Sequence, residues 1–293
     1  MTPAELARFV RKVEIKSSRL TTQVFTGEYH AAFRGRGMSF AEVRDYQPGD
    51  DVRDIDWNVT ARTGEPHIKV FEEERELTVL VLVDVSASML FGTREQSKAR
   101  LATELTAVLG HAALKNNDKI GALLYGHERL QFIPPQKGFR HLLHIVRELA
   151  VVEPSRGSAD LAQALRFVND VVRRRAVVFV VSDFVDQGDG FRTPLNVTAR
   201  RHDLVGLRMT DTFEQTPPSA GLVVLRDLET GAKRLVDSAS PAFRTAFAER
   251  QQTQREEMEQ LFHRASAQLL SLRTGEDYVP ALMQFFHARQ RRR

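Results

Sequence analysis

Asp84-Val85-Ser86-Ala87-Ser88 sets one carboxylate and two hydroxyls at alternate positions directly after the apolar run Leu77-Thr78-Val79-Leu80-Val81-Leu82-Val83. These side chains offer only oxygen, the donor that Mg²⁺, Mn²⁺ and Ca²⁺ accept and that softer ions disfavour. One carboxylate leaves much of a divalent charge uncompensated, so such an ion calls for a second acid. Asp183 is the candidate, because it follows Ala176-Val177-Val178-Phe179-Val180-Val181-Ser182, another apolar and β-branched run. If the two runs are neighbouring parallel strands, both acids emerge at their carboxyl ends, in the crevice where open α/β sheets collect ligands. An isolated Asp-x-Ser-x-Ser string also describes a solvated turn capping a helix. The repetition of strand, acid and loop favours the metal.

The elements that must hold these residues follow from periodicity. Leu101, Leu105, Val108, Leu109 and Ala112 repeat at helical spacing and predict a helix from about Thr93 to Lys115. Lys119 to Tyr125 and Leu130 to Ile133 read as short strands, with Pro134-Pro135 closing the second before a helix from Lys137 to Ala150. Leu161, Leu165, Val168 and Val172 mark a further helix, which feeds the strand ending at Asp183, and Leu204 to Met209 is one more strand. Strands alternating with helices imply right-handed crossovers and a doubly wound, mostly parallel α/β sheet. Beyond it, Gly221 to Arg226 and Lys233 to Val236 flank Glu229-Thr230-Gly231 as a hairpin. A long helix is expected from Pro241 to Ser271, with Phe243, Phe247, Met258, Leu261, Phe262 and Leu269 directed at the core. A terminal helix over 280–290 should bury Phe285 and Phe286.

The 293 residues show no Pro/Gly/Ser linker or repeat, which favours one core with appended segments. The division expected is an N-terminal extension over 1–76, a central unit over 77–240 and a C-terminal helical extension over 241–293. No run approaches the roughly 20 apolar residues of a membrane helix. The chain lacks cysteine and begins without a signal-like segment, so cytoplasm is the expected compartment. The formal charge is only +4, although Arg8, Arg11, Lys12, Lys16 and Arg19 crowd one end and Arg289, Arg291, Arg292 and Arg293 the other. No aromatic-studded basic strand suggests base stacking, so nucleic acid is not expected as a partner, while peripheral contact with acidic lipid stays open.

Other constellations carry less. Asp50, Asp51, Asp54 and Asp56 offer the donors of a second cation site, but Arg44, Arg53 and Arg62 are interleaved with them and compete for the same carboxylates. His141 and His144 lie three apart on a predicted helix and suit a surface or core-edge position better than zinc or catalysis. A Mg²⁺-dependent phosphatase or phosphotransferase using Asp84 as nucleophile is the rival from the enzymes. Ser86 stands two positions on, where such phosphatases place an aspartate as general acid, and a serine cannot donate that proton near neutral pH. Ser86 also lacks the Gly-x-Ser-x-Gly elbow of a serine hydrolase. With no Gly-x-x-x-x-Gly-Lys-Ser/Thr loop, ATP hydrolysis would have to come from a partner.

The block Gly37-Met38-Ser39-Phe40-Ala41-Glu42-Val43-Arg44-Asp45-Tyr46-Gln47-Pro48-Gly49-Asp50-Asp51-Val52-Arg53-Asp54-Ile55-Asp56-Trp57, followed by Asp84-x-Ser86-x-Ser88 and Ser182-Asp183-Phe184, resembles domain-of-unknown-function family 58. Members of that family carry a von Willebrand factor type A-like domain. Gly221-Leu222-Val223, Glu229-Thr230-Gly231 and Ala281-Leu282-x-x-Phe285-Phe286 extend the likeness over nearly the whole chain from about residue 20. The resemblance implies a metal ion-dependent adhesion site, in which Ser86 and Ser88 bind Mg²⁺, or Mn²⁺ or Ca²⁺, directly while Asp84 and Asp183 act directly or through water. The family's fifth ligand is a threonine, whose place here holds Ala159, with Ser158 and Asp160 as substitutes. The resemblance further implies a non-catalytic adaptor for a MoxR-type AAA+ ATPase and its client protein, with a metal-free scaffold as the reading that Ala159 favours.

Overall fold

The fold was analysed in a computed structural model, which describes residues 3–20, 29, 32–33, 38–73, 76–93, 96–155, 157–185 and 190–291. Gly37, Arg292 and Arg293, all part of the sequence reading, lie outside them. The chain opens with helix α1 (Pro3–Leu20), then strand β1 (Met38–Asp45), helix α2 (Trp57–Thr63) and strand β2 (His67–Glu73). Strands β1 and β2 form a separate antiparallel pair. Around them the interleaved charges act as a network: Arg44 grips Asp50 through both guanidinium nitrogens at 2.9 and 2.8 Å, and Arg53 pairs with Asp51. Asp56 accepts the Asn58 and Val59 N–H groups as the cap of α2. These carboxylates order an irregular segment rather than gather round a cation.

The central sheet has six strands. They are β3 (Thr78–Asp84), β4 (Lys119–Tyr125), β5 (Leu130–Gln136), β6 (Val177–Ser182), β7 (Asp203–Thr210) and β10 (Gln268–Arg273), in the order β10-β7-β6-β3-β4-β5. Only β5 runs antiparallel to its neighbour. Counted from β3, the order is 3-2-1-4-5-6, the doubly wound arrangement whose switch point lies between the first and fourth strands. Those strands are β3 and β6. The expected fold class is therefore the one observed.

Strand alternation divides the core. Val79, Val81 and Val83 join the layer formed by α3 (Lys98–Lys115), α4 (Phe139–Val151) and the terminal helix, whereas Leu80 and Leu82 join the layer of α5 (Leu161–Val171) and α6 (Arg192–Arg201). Every residue of β3 from Val79 to Asp84 is buried, as a central parallel strand requires. Helix α1 packs over α3 and ties Lys16 to Glu104 at 2.6 Å.

Four expectations on elements need correction. Helix α3 begins at Lys98 rather than Thr93, because Ser97 caps it and Thr93 is drawn off to the Asp211 carboxylate at 2.7 Å. Strand β5 continues through Pro134-Pro135, where its pairing with β4 slips register between Ile120 and Ala122, an irregularity of the kind that lets an edge strand hold proline. Helix α6 carries only Leu195, Thr198 and Pro194 inward, too weak a pattern to be read from sequence. The long helix stops early. After α7 (Thr212–Gln215) and the hairpin β8 (Leu222–Arg226) and β9 (Lys233–Asp237), helix α8 runs over Pro241–Arg264 and gives way to β10. Ser266 turns the chain with φ 57, and Leu269 lies seven residues from Phe262, a spacing that mimics continued helix. The sixth strand thus comes from the segment expected to be wholly helical. Of the apolar residues expected in the core from that segment, Phe262 is fully buried and sits against Phe184.

Helix α9 (Val279–Arg291) ends the chain with Phe286 buried and Phe285 half-buried. Arg289 does not belong to a solvated basic tail: it is buried, pairs with Asp203, donates to the Ala32 carbonyl at 3.0 Å and stacks over Phe33.

Candidate metal centre

Parallel pairing of β3 with β6, Val83 opposite Val181, brings the two acid-bearing strand tips side by side at the switch point. Asp84 Oδ1 accepts the backbone N–H of Ser86 at 2.8 Å and its hydroxyl at 2.6 Å. Its other oxygen, Oδ2, accepts the Ser182 hydroxyl from the neighbouring tip at 2.7 Å. Ser86 Oγ lies 3.1 Å from Ser88 Oγ. Asp84, Ser86 and Asp183 are each 2 % exposed or less. Burial, reinforced by the Asp183 charge, raises the Asp84 carboxyl to about 7.

The β6 tip is bent. Phe184 sits in the left-handed region with φ 56, unusual for a bulky residue, and its N–H donates to Ser182 Oγ at 2.9 Å. Asp183 then accepts the Val185 N–H on Oδ1 and the Lys98 ammonium on Oδ2 at 2.7 Å. Lys98 is fully buried and also holds Glu214 at 2.5 Å. Burial alone would pull its ammonium down, and the Asp183 and Glu214 carboxylates more than offset that, leaving it above its ordinary value. Among the described residues Lys98 pairs with these two acids and makes no ion pair with Asp84.

The third loop completes the rim. Ser155 bridges to Ser86, and the Asp160 N–H bonds the Gly126 carbonyl. A Cβ on Gly126 would fall 2.1 Å from Ser155 Oγ, so only glycine lets the end of β4 approach this loop. Ala159 is buried in the core and supplies no oxygen. Asp160 Oδ1 caps α5 through the Gln163 N–H at 2.8 Å. Ser158 offers its hydroxyl to Glu229, at the tip of the β8–β9 hairpin. Of the six residues singled out from the sequence, Ser86 touches both Asp84 and Ser88, Asp183 stands at the adjoining tip, and Ser158 and Asp160 belong to the bordering loop.

Among the described residues no three of His, Cys, Asp and Glu converge. An ion here would be held by Asp84, Asp183, Ser86 and Ser88 with water. That donor set fits: it is all oxygen, and it holds two like-charged carboxylates in a buried place, a repulsion that a hard cation relieves. Beside it a cavity of about 550 Å³ opens between α1, α3 and α4, with Asp84 and Ser86 in its lining, an apolar wall of Val83, Met89 and Leu149, and Arg100 among its basic residues.

Sequence reasoning missed Lys98, Glu214, Glu229 and the role of Ser182. Lys98 had a signal, since it stands three and seven residues before Leu101 and Leu105, on the apolar stripe of its own helix. Glu229 had none beyond its place in a turn.

Residues 42–257 match the family described as "Protein of unknown function DUF58". An uncharacterized protein of Mycobacterium tuberculosis is 33% identical over 289 residues, covering 98% of this chain and 90% of its own length. The uncharacterized protein YeaD of Bacillus subtilis is 34% identical over 111 residues, which are 38% of this chain and 26% of that one. Among solved structures, an aerotolerance-related membrane protein from Bacteroides fragilis is 13% identical with a TM-score of 0.50, covering 74% of this chain and all of that one, a likeness of fold.

Proposed function

The chain belongs to the protein family of unknown function DUF58, and on that premise we propose that it is a non-catalytic protein-interaction module with a metal ion-dependent adhesion site. The observation that carries this reading is the hydroxyl-bridged pair of strand tips: Ser86 and Ser182 both donate to Asp84, with Ser88 and Asp183 adjoining. Mg²⁺, or Mn²⁺ or Ca²⁺, would supply a positive centre there for an Asp or Glu of another protein. Ser86 and Ser88 would hold it directly, and Asp84, Asp183 and Ser158 would complete its surroundings. The cavity beside Asp84 takes an apolar side chain flanking that acid, and its basic rim favours acidic segments. The partners are a MoxR-type AAA+ ATPase and its client.

The same geometry weighs against the phosphatase. An Asp84 carboxylate whose two oxygens already accept three hydrogen bonds is held back from attack on a phosphorus atom. The Ser86 hydroxyl donates to Asp84, and among the described residues no histidine shares a hydrogen bond with it. A metal-free scaffold is the second reading, favoured by buried Ala159 and by the Lys98–Asp183 pair, which already compensates one acid.

The test is a complex of the purified chain with its MoxR-type ATPase, measured in Mg²⁺ and in excess chelator. The metal-dependent reading expects the complex to weaken at least tenfold with chelator and with Asp84→Ala. A complex indifferent to both, with the variant folded, leaves the scaffold.

A further inference from the structure

Arg208, near the carboxyl end of β7, is only 8 % exposed. Its neighbours Leu207 and Met209 pack with α3 and α9, so strand alternation turns Arg208 to the opposite face, where Gly206, two residues earlier, meets Phe262 of α8. Among the described residues its Nε is buried without a hydrogen-bond partner, and the guanidinium makes no ion pair. Burial pulls the group below its ordinary value, and the Asp183 charge offsets only part of that. Arg208 lines a cavity of about 370 Å³ between β7, α7 and α8, whose α8 wall includes Arg250, Gln251, Gln254 and Arg255. The acids of this region are already paired: Asp183 and Glu214 share the Lys98 ammonium, and Glu259 accepts from Arg255 at 2.8 Å. The four cations Lys98, Arg208, Arg250 and Arg255 thus outnumber the three acids, and the buried cation left over is Arg208.

We propose that this cavity binds a small organic acid whose carboxylate takes the fork of the Arg208 guanidinium. Five N–H donors in one plane match a carboxylate at two points, and such charge-assisted pairing offsets the cost of burying an arginine. A single carboxylate answers an excess of one positive charge, whereas a phosphate dianion would meet Asp183 and Glu214 in the same walls. The volume lies within the range of small-molecule sites, and the Gln251 and Gln254 amides can both donate to and accept from the rest of the ligand. The position agrees as well, since open α/β sheets take their ligands beyond the carboxyl ends of their strands. The cavity beside Asp84 is walled by α1, α3 and α4 and this one by α7 and α8, so the site stands apart from the metal-dependent reading and needs no ion.

The experiment uses the full chain labelled with ¹⁵N and succinate as the probe, with no divalent ion added. Nuclear magnetic resonance follows the arginine Nε–H signals across the titration, against sodium chloride at equal ionic strength, and the Arg208 signal is assigned by its loss in Arg208→Met. That signal should move saturably with succinate in wild type, and Arg250→Ala, which removes a cation at the rim, should weaken the binding about threefold. Succinate should raise the urea midpoint of wild type and not that of Arg208→Met. Without succinate, Arg208→Met should unfold at a higher urea midpoint than wild type, because it removes a buried charge that has no partner, whereas an arginine kept for structure gives the reverse. An Arg208 signal indifferent to succinate, equal stabilisation of both chains by it, or a lower midpoint for Arg208→Met overturns the proposal. Saturation by inorganic phosphate and not by succinate overturns the assignment to a carboxylate.

Discussion

At the scale of single residues, burial at the strand tips raises one acid toward neutrality. Asp84 is raised to about 7 by burial and then by Asp183, so a proton would compete within the physiological range with the ion proposed for it. Below about 7 the carboxyl holds its proton and the ion must displace it; above, the carboxylate is free. Mg²⁺ affinity should therefore rise roughly tenfold from pH 6 to pH 8, and calorimetry at the two values checks it. Lys98 makes a second prediction. Lys98→Met leaves the buried Asp183 and the half-buried Glu214 without their shared ammonium, a change that typically costs about 3–5 kcal/mol, readable as a lower urea midpoint. The acids and hydroxyls were legible in the sequence because strand periodicity fixes where each run ends. Lys98 was not, since a charge on an apolar stripe reads as a register imperfection until its two acids, 85 and 116 residues away, are seen beside it.

At the scale of elements, side chains that sequence cannot distinguish by type are separated by what they cap or crowd. Asp160 accepts a backbone N–H at the start of α5. As a helix cap, its replacement in Asp160→Ala should cost about 1 kcal/mol of stability and leave Mg²⁺ affinity unchanged, a pair of outcomes that a direct ligand would not give. Gly206 in β7 marks where α8 presses closest: an added Cβ would lie 2.6 Å from both Leu269 and Phe262. Gly206→Ala should lose about 1–3 kcal/mol by overpacking, measured by thermal unfolding. Helices and strands with full apolar stripes were readable to within a few residues. Helix α6 and strand β10 were not, the first because only a few of its residues face inward, the second because Leu269 and Phe262 share a helical spacing while belonging to different elements.

At the scale of the whole molecule, the chain is a doubly wound sheet whose two central strands end at one point, with the sequence-distant hairpin bordering it. The overall class followed from alternating strands and helices, but the place of the C-terminal segment did not. Its strand pairs with β7, and Arg289 reaches back to Asp203 and the Ala32 carbonyl, contacts that no local pattern encodes. Among the described residues no helix is long and apolar enough to cross a membrane. Because the candidate centre joins β3 to β6 in the middle of this sheet, a bound ion would stabilise the native state of the entire chain by mass action. The most direct measurement is thermal unfolding of wild type and Ser86→Ala across a Mg²⁺ titration. The account predicts saturable stabilisation of wild type, about 2.7 kcal/mol at one hundred times the dissociation constant, and none in the variant. A wild-type transition that neither Mg²⁺ nor Mn²⁺ moves would contradict it.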